Sequence, residues 1–125
     1  MTPHYFTLEE ANQTIIHIRP LMAELLKRRA RVVSCRPYLL NALEDLHSNT
    51  GSALATTVAQ DFAAMERLLA RIKAYGCVIK DINVGLVDFL TERSGREVYL
   101  CWRFGEEGIS FYHDLHTGFN SRRPV

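Results

Sequence analysis

The stretch LARIKAYGCVIKDINVGLVDFL, Leu69–Leu90, contains a change of hydrophobic period that decides the fold. Before Gly76, apolar residues recur every three or four positions, as they do along one face of an amphipathic helix. After Gly76, short apolar runs alternate with turn residues, and the period falls to the two residues of a β-strand. The sequence therefore predicts one α+β domain over residues 1–125, with a helical half at about 7–76 and a β half at about 77–119.

A long helix is predicted N-terminal to this stretch. Thr7 and Glu10 have the spacing of a capping box, in which each side chain accepts from the backbone N–H of the other residue, so the helix should begin at Leu8. Pro20 lies well inside the apolar repeat, where it removes one backbone hydrogen bond and predicts a kink or a short break. Pro37 is predicted to end this helix.

A shorter helical segment through Leu46 and a loop over residues 47–52 are predicted to lead to a second long helix. Ser52 can cap the second helix, and Gly76 can supply the left-handed residue that stops it. Its predicted inner stripe is Leu54, Val58, Phe62, Met65, Leu69 and Ile72. The short connection favours an antiparallel helical hairpin in which the two apolar stripes face each other.

The β half is predicted to be a three- to four-stranded antiparallel sheet that packs on the helical hairpin. Turn residues separate the candidate strands Val78–Asp81, Leu86–Leu90, Glu97–Phe104 and Ile109–Asp114. A four-residue loop at Gly105–Gly108 would pair Leu100 with His113 and Trp102 with Phe111. On this register Trp102 and His113 lie on the apolar face that covers the helices. If the preceding hairpin pairs Phe89 with Val98, Phe89 joins that face and Asp88 lies beside Tyr99 on the opposite face.

The opposite face of the sheet is predicted to be polar, and it would carry Asp88, Tyr99, Arg103, Tyr112 and Asp114. Glu106, Arg122 and Arg123 join this face if the C-terminal segment folds back, and the two guanidinium groups would then suit a phosphate or a carboxylate. The alternative interpretation is hydrogen bonding among these side chains on a half-exposed sheet. The cluster is therefore a candidate polar-face or anion site.

The segment His113-Asp114-Leu115-His116 is the candidate metal site. Two imidazoles and a carboxylate within four residues suit a divalent transition metal such as Zn, Fe, Mn or Ni. Asp88 or Glu106 could add a ligand. Because side chains alternate along a strand, His113 and Asp114 can bind one ion only if the chain turns between them. The alternative is that His113 closes the edge of the core and Asp114 shapes a turn.

The three cysteines, Cys35, Cys77 and Cys101, are widely spaced and odd in number, which predicts buried reduced thiols rather than a disulfide framework. On the register above, Cys101 has Tyr112 and Leu86 as strand neighbours, and neither could act as a base for a nucleophilic thiol. The nucleotide-binding loops, the H-E-x-x-H motif and the G-x-S-x-G motif are absent from the sequence. No recognisable catalytic motif therefore marks the chain as an enzyme.

Composition narrows the choice of partners. The 15 basic and 14 acidic residues leave a formal net charge of +1, which disfavours recruitment to nucleic acid or to an anionic membrane by bulk charge. The N-terminus lacks a secretory signal, and no apolar run is long enough to cross a bilayer. We therefore expect a cytoplasmic protein.

Several segments together resemble a prokaryotic domain family of unknown function, DUF2203. They are Tyr5–Asn12, Lys80–Asp81, Gly85–Phe89, Cys101–Arg103, Gly105–Glu106, Phe111–Phe119 and Arg122–Pro124. Their order and spacing span nearly the whole chain. The resemblance implies a bacterial cytosolic protein and brings no assigned activity.

The leading functional hypothesis is a non-enzymatic interaction or assembly module. Helices of this length extend over ~30 Å, farther than a small sheet can cover, so their uncovered apolar stripes predict a homodimer or a protein partner. The alternative is the metal-binding or metal-dependent site at His113, Asp114 and His116. RNA binding through Arg28, Arg29 and Arg31 together with the C-terminal arginines is a third and weaker option.

Overall fold

Two long helices precede a five-stranded antiparallel sheet. The structure is a computed structural model, and it describes residues 4–38 and 53–125. The elements are α1 Leu8–Cys35, a 3₁₀ turn Arg36–Tyr38, α2 Ala53–Lys73, β1 Val78–Asp81, β2 Leu86–Arg93, β3 Arg96–Arg103, β4 Phe111–Asp114, a 3₁₀ turn Phe119–Ser121, and β5 Arg123–Pro124. The predicted α+β class is confirmed. The predicted short helix through Leu46 and the loop over residues 47–52 lie outside the described residues.

The predicted capping box starts α1. The Thr7 hydroxyl accepts from the N–H of Glu10 at 3.0 Å, and the Glu10 carboxylate accepts from the N–H of Thr7 at 3.3 Å. Two backbone donors that have no partner within the helix are thereby satisfied. The helix continues through Pro20 for 28 residues, so the short break that Pro20 could have caused does not occur.

Helix α2 ends at Lys73, and the predicted stop follows at Gly76, whose φ of +92° is the left-handed conformation that glycine adopts without strain. The predicted inner stripe is wrong at one position, because Phe62 is 49% exposed. Asp61 takes the inner position instead and is 1% exposed. Its carboxylate accepts from Arg28 Nη1 at 3.0 Å and from Arg31 Nε at 3.1 Å, so an ion pair links the two helices at this level.

The strands follow one another in the order β1-β2-β3-β4-β5. The sheet has one strand more than the expected three to four because the C-terminal segment folds back and pairs with β4. Phe89 lies opposite Leu100 rather than opposite Val98. This difference of two residues leaves every side chain of the β2–β3 hairpin on its predicted face.

The main core lies between the helices and one face of the sheet. It is formed by buried residues of α1, α2, β2 and β3, among them Ile15, Ile18, Met22, Leu25, Leu68, Ile72, Val87, Phe89, Leu100 and Trp102. The Trp102 ring is fully buried, as predicted, and its N–H donates to the carbonyl oxygen of Glu106 at 2.9 Å. This bond fixes the start of the loop between β3 and β4.

The predicted register of the last hairpin is wrong by one residue. Tyr99 lies opposite His113 and Cys101 lies opposite Phe111. The four-residue turn does not form, because the N–H of Ile109 donates to Asn12 Oδ1 on α1 at 2.8 Å. A slip of one residue moves every side chain of β4 to the other face. His113 therefore points away from the helices, onto the same face as Cys101.

None of the helices in the described ranges combines the length and the apolar character that crossing a membrane requires.

Candidate metal centre

Three neighbouring strands bring Asp88, Cys101 and His113 together on the sheet face that points away from the helices. Asp88 of β2 lies directly opposite Cys101 of β3. His113 of β4 lies opposite Tyr99, two residues along β3 from Cys101. One nitrogen, oxygen or sulfur atom from each side chain lies within 4.8 Å of the others, and all three side chains are buried. Within residues 4–38 and 53–125, this is the one group of three His, Cys, Asp or Glu side chains spaced to hold a metal ion.

The hydrogen bonds of His113 fix the tautomer of its ring. Nδ1 lies 2.8 Å from the carbonyl oxygen of Asp114, which can only accept, so Nδ1 carries a proton and donates it. Nε2 lies 2.9 Å from Asp88 Oδ2. This second contact holds one proton, on the ring or on the carboxyl group. If that proton is removed, Nε2 presents a lone pair toward Asp88 and Cys101.

The Asp88 carboxyl group is incompletely satisfied. Its Oδ1 atom is buried and has no hydrogen-bond partner. Burial raises the pKa of Asp88, and the neighbouring His113 and Cys101 only partly oppose this effect. A buried carboxyl oxygen without a partner is unfavourable, so its presence calls for an explanation.

The Cys101 thiol is fully buried, and burial followed by the nearby Asp88 carboxylate raises its pKa to about 12. Hydrogen bonding from Arg122 acts in the opposite direction. A thiol with so high a pKa is not an activated nucleophile, whereas a metal ion would deprotonate it on binding. The predicted strand neighbours of Cys101 are corrected here: they are Asp88 and Phe111, not Leu86 and Tyr112.

The C-terminal segment folds back over this face, as the sequence allowed, and brings Arg122 beside the cluster. Its guanidinium group donates to both oxygens of Glu106, each at 3.0 Å, and stacks on the rings of Phe111 at 4.2 Å and Phe119 at 4.1 Å. The Arg122 side chain is only 12% exposed. The predicted anion site at Arg122 therefore already contains a carboxylate of the chain itself.

Two further members of the predicted polar face lie on the same side. The Tyr99 ring packs against the His113 ring, with 5.7 Å between the centroids. Lys80 Nζ lies 4.6 Å from the centre of the Tyr99 ring. Because β2 separates β1 from β3, the Lys80 side chain has to cross β2 to reach Tyr99. Arg103 is exposed and lies 5.6 Å from the Phe119 ring.

The remaining predicted site residues do not join the cluster. Asp114 points to the other face of β4 and binds Arg96 at 2.9 Å, with Arg123 at 3.7 Å. His116 lies beyond the strand and is exposed. The structure thus brings only His113 of the predicted His113, Asp114 and His116 set into the candidate site. Tyr112 packs against the core instead of joining the polar face.

The arrangement can accommodate a tetrahedral ion. Ligand atoms around zinc are separated by roughly 3.3–3.6 Å, given metal–ligand bonds of about 2.0–2.3 Å. The 2.9 Å contact between Nε2 and Oδ2 would open slightly, and the widest pair, within 4.8 Å, would close by about 1 Å. The buried Asp88, Cys101 and His113 group could therefore hold a metal.

The fold and the site together define an α+β protein in which a helical hairpin covers one face of an antiparallel sheet and a buried Asp-Cys-His cluster occupies the other. The family model described as Uncharacterized conserved protein (DUF2203) matches residues 4–125. The chain belongs to this family. No curated protein and no solved structure matches it.

Proposed function

We propose that this protein binds one zinc ion through Asp88, Cys101 and His113. The observation that carries the proposal is the set of contacts around His113: Nδ1 donates to a backbone carbonyl oxygen, while Nε2 faces Asp88. A histidine that ligates a metal through one ring nitrogen nearly always donates the other ring N–H to such an acceptor, which orients the imidazole. The partnerless Oδ1 of Asp88 offers a second oxygen to the same ion.

The donor set favours zinc over the hard cations. Thiolate and imidazole ligands suit Zn²⁺, whereas Mg²⁺ and Ca²⁺ bind through several oxygen ligands. Three protein ligands leave one position of a tetrahedral ion for water or another group. The carboxylate and the thiolate would also offset the two charges of the ion in this buried position.

The test is isothermal titration of metal-free protein with Zn²⁺, together with elemental analysis of the dialysed product. The native chain should bind one ion, and Asp88→Asn and Cys101→Ser should each weaken binding because each removes an anionic ligand. His113→Gln and His116→Gln form a matched pair, since His113 is buried in the cluster and His116 is exposed. The first should lose zinc and the second should retain it. Native protein that binds no stoichiometric ion, or loss of zinc only in His116→Gln, would contradict the proposal.

Self-association through the helices is a second candidate role, and the exposed apolar side chains on both helices favour it. Ile16 is 57% exposed, Phe62 49% and Val33 48%. Covering apolar side chains of this size with a second surface lowers the free energy and so favours association. Light scattering coupled to size exclusion should give a dimer of the native chain at micromolar concentration, and Phe62→Glu should shift it toward monomer. A native chain that is monomeric under these conditions would rule out this role.

A further inference from the structure

Arg122 lies beside the proposed zinc site, and its two hydrogen bonds to Glu106 do not by themselves explain this position. The residue comes from the C-terminal segment, close to β5, and yet its side chain ends over the centre of the sheet. Phe111, on which the guanidinium group stacks, is the direct cross-strand neighbour of Cys101. Cross-strand neighbours share a face, so Arg122 lies next to the thiol. The guanidinium group is therefore placed to interact with the Cys101 side chain.

Arg122 is held in this position from three sides. The Phe111 and Phe119 rings lie 4.2 and 4.1 Å from the guanidinium carbon, and the two oxygens of Glu106 accept from Nη1 and Nη2. Glu106 is itself fixed, because its Oε1 accepts from the N–H of Arg103 at 2.7 Å. A planar guanidinium group has five N–H donors in a rigid arrangement, so it can bind a carboxylate with two and still donate to sulfur.

We infer that Arg122 is a positioning residue for the metal centre, which holds the Cys101 sulfur in place as a thiolate ligand. The inference rests on the proposed zinc site. Asp88 and Cys101 would contribute two negative charges to a buried site, and hydrogen bonds to a ligating sulfur stabilise that charge. Glu106 acts through Arg122 and contacts neither Asp88 nor His113 in the bonds that the structure describes.

The same geometry links metal binding to the C-terminal segment. β5 pairs with β4, and the N–H of Val125 donates to the carbonyl oxygen of Ser110 at 3.0 Å. Arg122 joins this segment to the centre of the site. Zinc binding at Cys101 therefore strengthens the attachment of the C-terminal segment, and the attached segment strengthens zinc binding by the same factor.

The experiment compares the native chain with Arg122→Gln, Arg122→Lys and Arg123→Gln, using Zn²⁺ for affinity and Co²⁺ for spectroscopy. Arg123→Gln is the matched control, since Arg123 is the next residue, is 59% exposed and contacts Asp114 rather than the cluster. Arg122→Gln should weaken Zn²⁺ binding roughly 10- to 100-fold, as changes to residues that support metal ligands do. Its sulfur-to-cobalt charge-transfer absorption should also fall relative to the d–d absorption. Arg122→Lys should give intermediate values, and the control should match the native chain.

The second readout separates a role at the sulfur from a role in packing alone, because lost packing does not change the ratio of the two absorptions. Equal affinity and an equal ratio in the native chain, Arg122→Gln and Arg122→Lys would overturn the inference while leaving the zinc site intact. If Arg122→Gln does not fold by circular dichroism, Arg122→Lys decides alone: weaker binding supports the inference and unchanged binding overturns it. A native chain without stoichiometric Zn²⁺ would instead overturn the proposed function.

Discussion

Gly85 offers a sharp test of how tightly the sheet packs on α1. It lies in the turn before β2 with φ of +69°, and a Cβ atom there would lie 2.7 Å from Phe104 Cβ and 3.1 Å from Met22 Cγ. Real Cβ atoms essentially never come as close as 2.7 Å to a heavy atom of a residue that is not adjacent in the chain. Gly85→Ala therefore has to displace either the loop after β3 or the adjacent turn of α1.

Two contributions set the size of the effect. The left-handed backbone costs a side-chain-bearing residue about 1–2 kcal/mol. Forcing an additional methyl group into a packed interior costs typically 1–3 kcal/mol more. We expect Gly85→Ala to lower the free energy of unfolding by about 2–5 kcal/mol. Gly95→Ala separates the two contributions, because Gly95 has φ of +80° but no heavy atom within 4 Å of its added Cβ. The free energy of unfolding of Gly95→Ala should therefore fall only by the backbone contribution.

Urea unfolding followed by tryptophan fluorescence measures both variants. Trp102 is the single tryptophan of the chain and is fully buried, so its emission reports on the core. The transition midpoint should fall further for Gly85→Ala than for Gly95→Ala, with similar slopes for both. Equal midpoints for the two variants would show that the turn and the loop do not pack as closely as the structure indicates, and would refute the reasoning.

Two other predictions concern the helices and the metal. Hydrogen bonds from Arg31 and Arg28 hold the pKa of Asp61 below its ordinary value of 3.8, so its contribution to stability is present above that pH and is lost as the pH falls. The urea midpoint of Asp61→Asn should therefore lie below that of the native chain at pH 7 and converge with it in acid. Glu24→Gln, which removes the half-buried partner of Arg28 on α1 itself, should lower the midpoint less at pH 7. Zinc at a hundredfold excess over its dissociation constant should stabilise the native chain by about 2.7 kcal/mol. Cys101→Ser should lose most of this gain in a thermal melt, and an equal gain in both proteins would count against the site.

The helices could be predicted well because their signals are local. The capping box at Thr7 and the stop at Gly76 each depend on a few neighbouring residues, and both form as expected. The inner face of α2 is harder to predict, since an apolar stripe through Phe62 matches the helical period. The structure places Asp61 inward because arginines of α1, distant in sequence, supply its partners. No window on one helix contains that information.

The sequence does not predict the candidate site, for a related reason. The sequence predicts His113 as a ligand and places Asp88 on the correct face, but it gives Cys101 the strand neighbours Leu86 and Tyr112. Both neighbours are wrong, because β2 is shifted by two residues and β4 by one residue from the predicted registers on β3. The register of β4 depends on a hydrogen bond from Ile109 to Asn12, which are 97 residues apart. The sequence itself favours a short turn, because residues 105–108 begin and end with glycine. A sequence signal existed only in the ligand types of Asp88, Cys101 and His113 on three successive strands.

The difference in free energy of unfolding between Asp88→Asn and the native chain should change sign when zinc is added. A buried carboxyl group with a partnerless oxygen is unfavourable until an ion binds it. Without zinc, an asparagine amide can donate to His113 Nε2 and carries no charge, so the variant should be at least as stable as the native chain at pH 7. Burial raises the pKa of Asp88 above its ordinary value of 3.8, so the native chain without zinc loses stability relative to the variant as the pH rises through that value. With zinc, the native chain should become the more stable of the two, since only the carboxylate is an anionic ligand. Urea midpoints of both proteins with and without Zn²⁺ measure the crossover. A variant that is less stable than the native chain by the same amount in both conditions would mean that Asp88 serves the fold and not an ion.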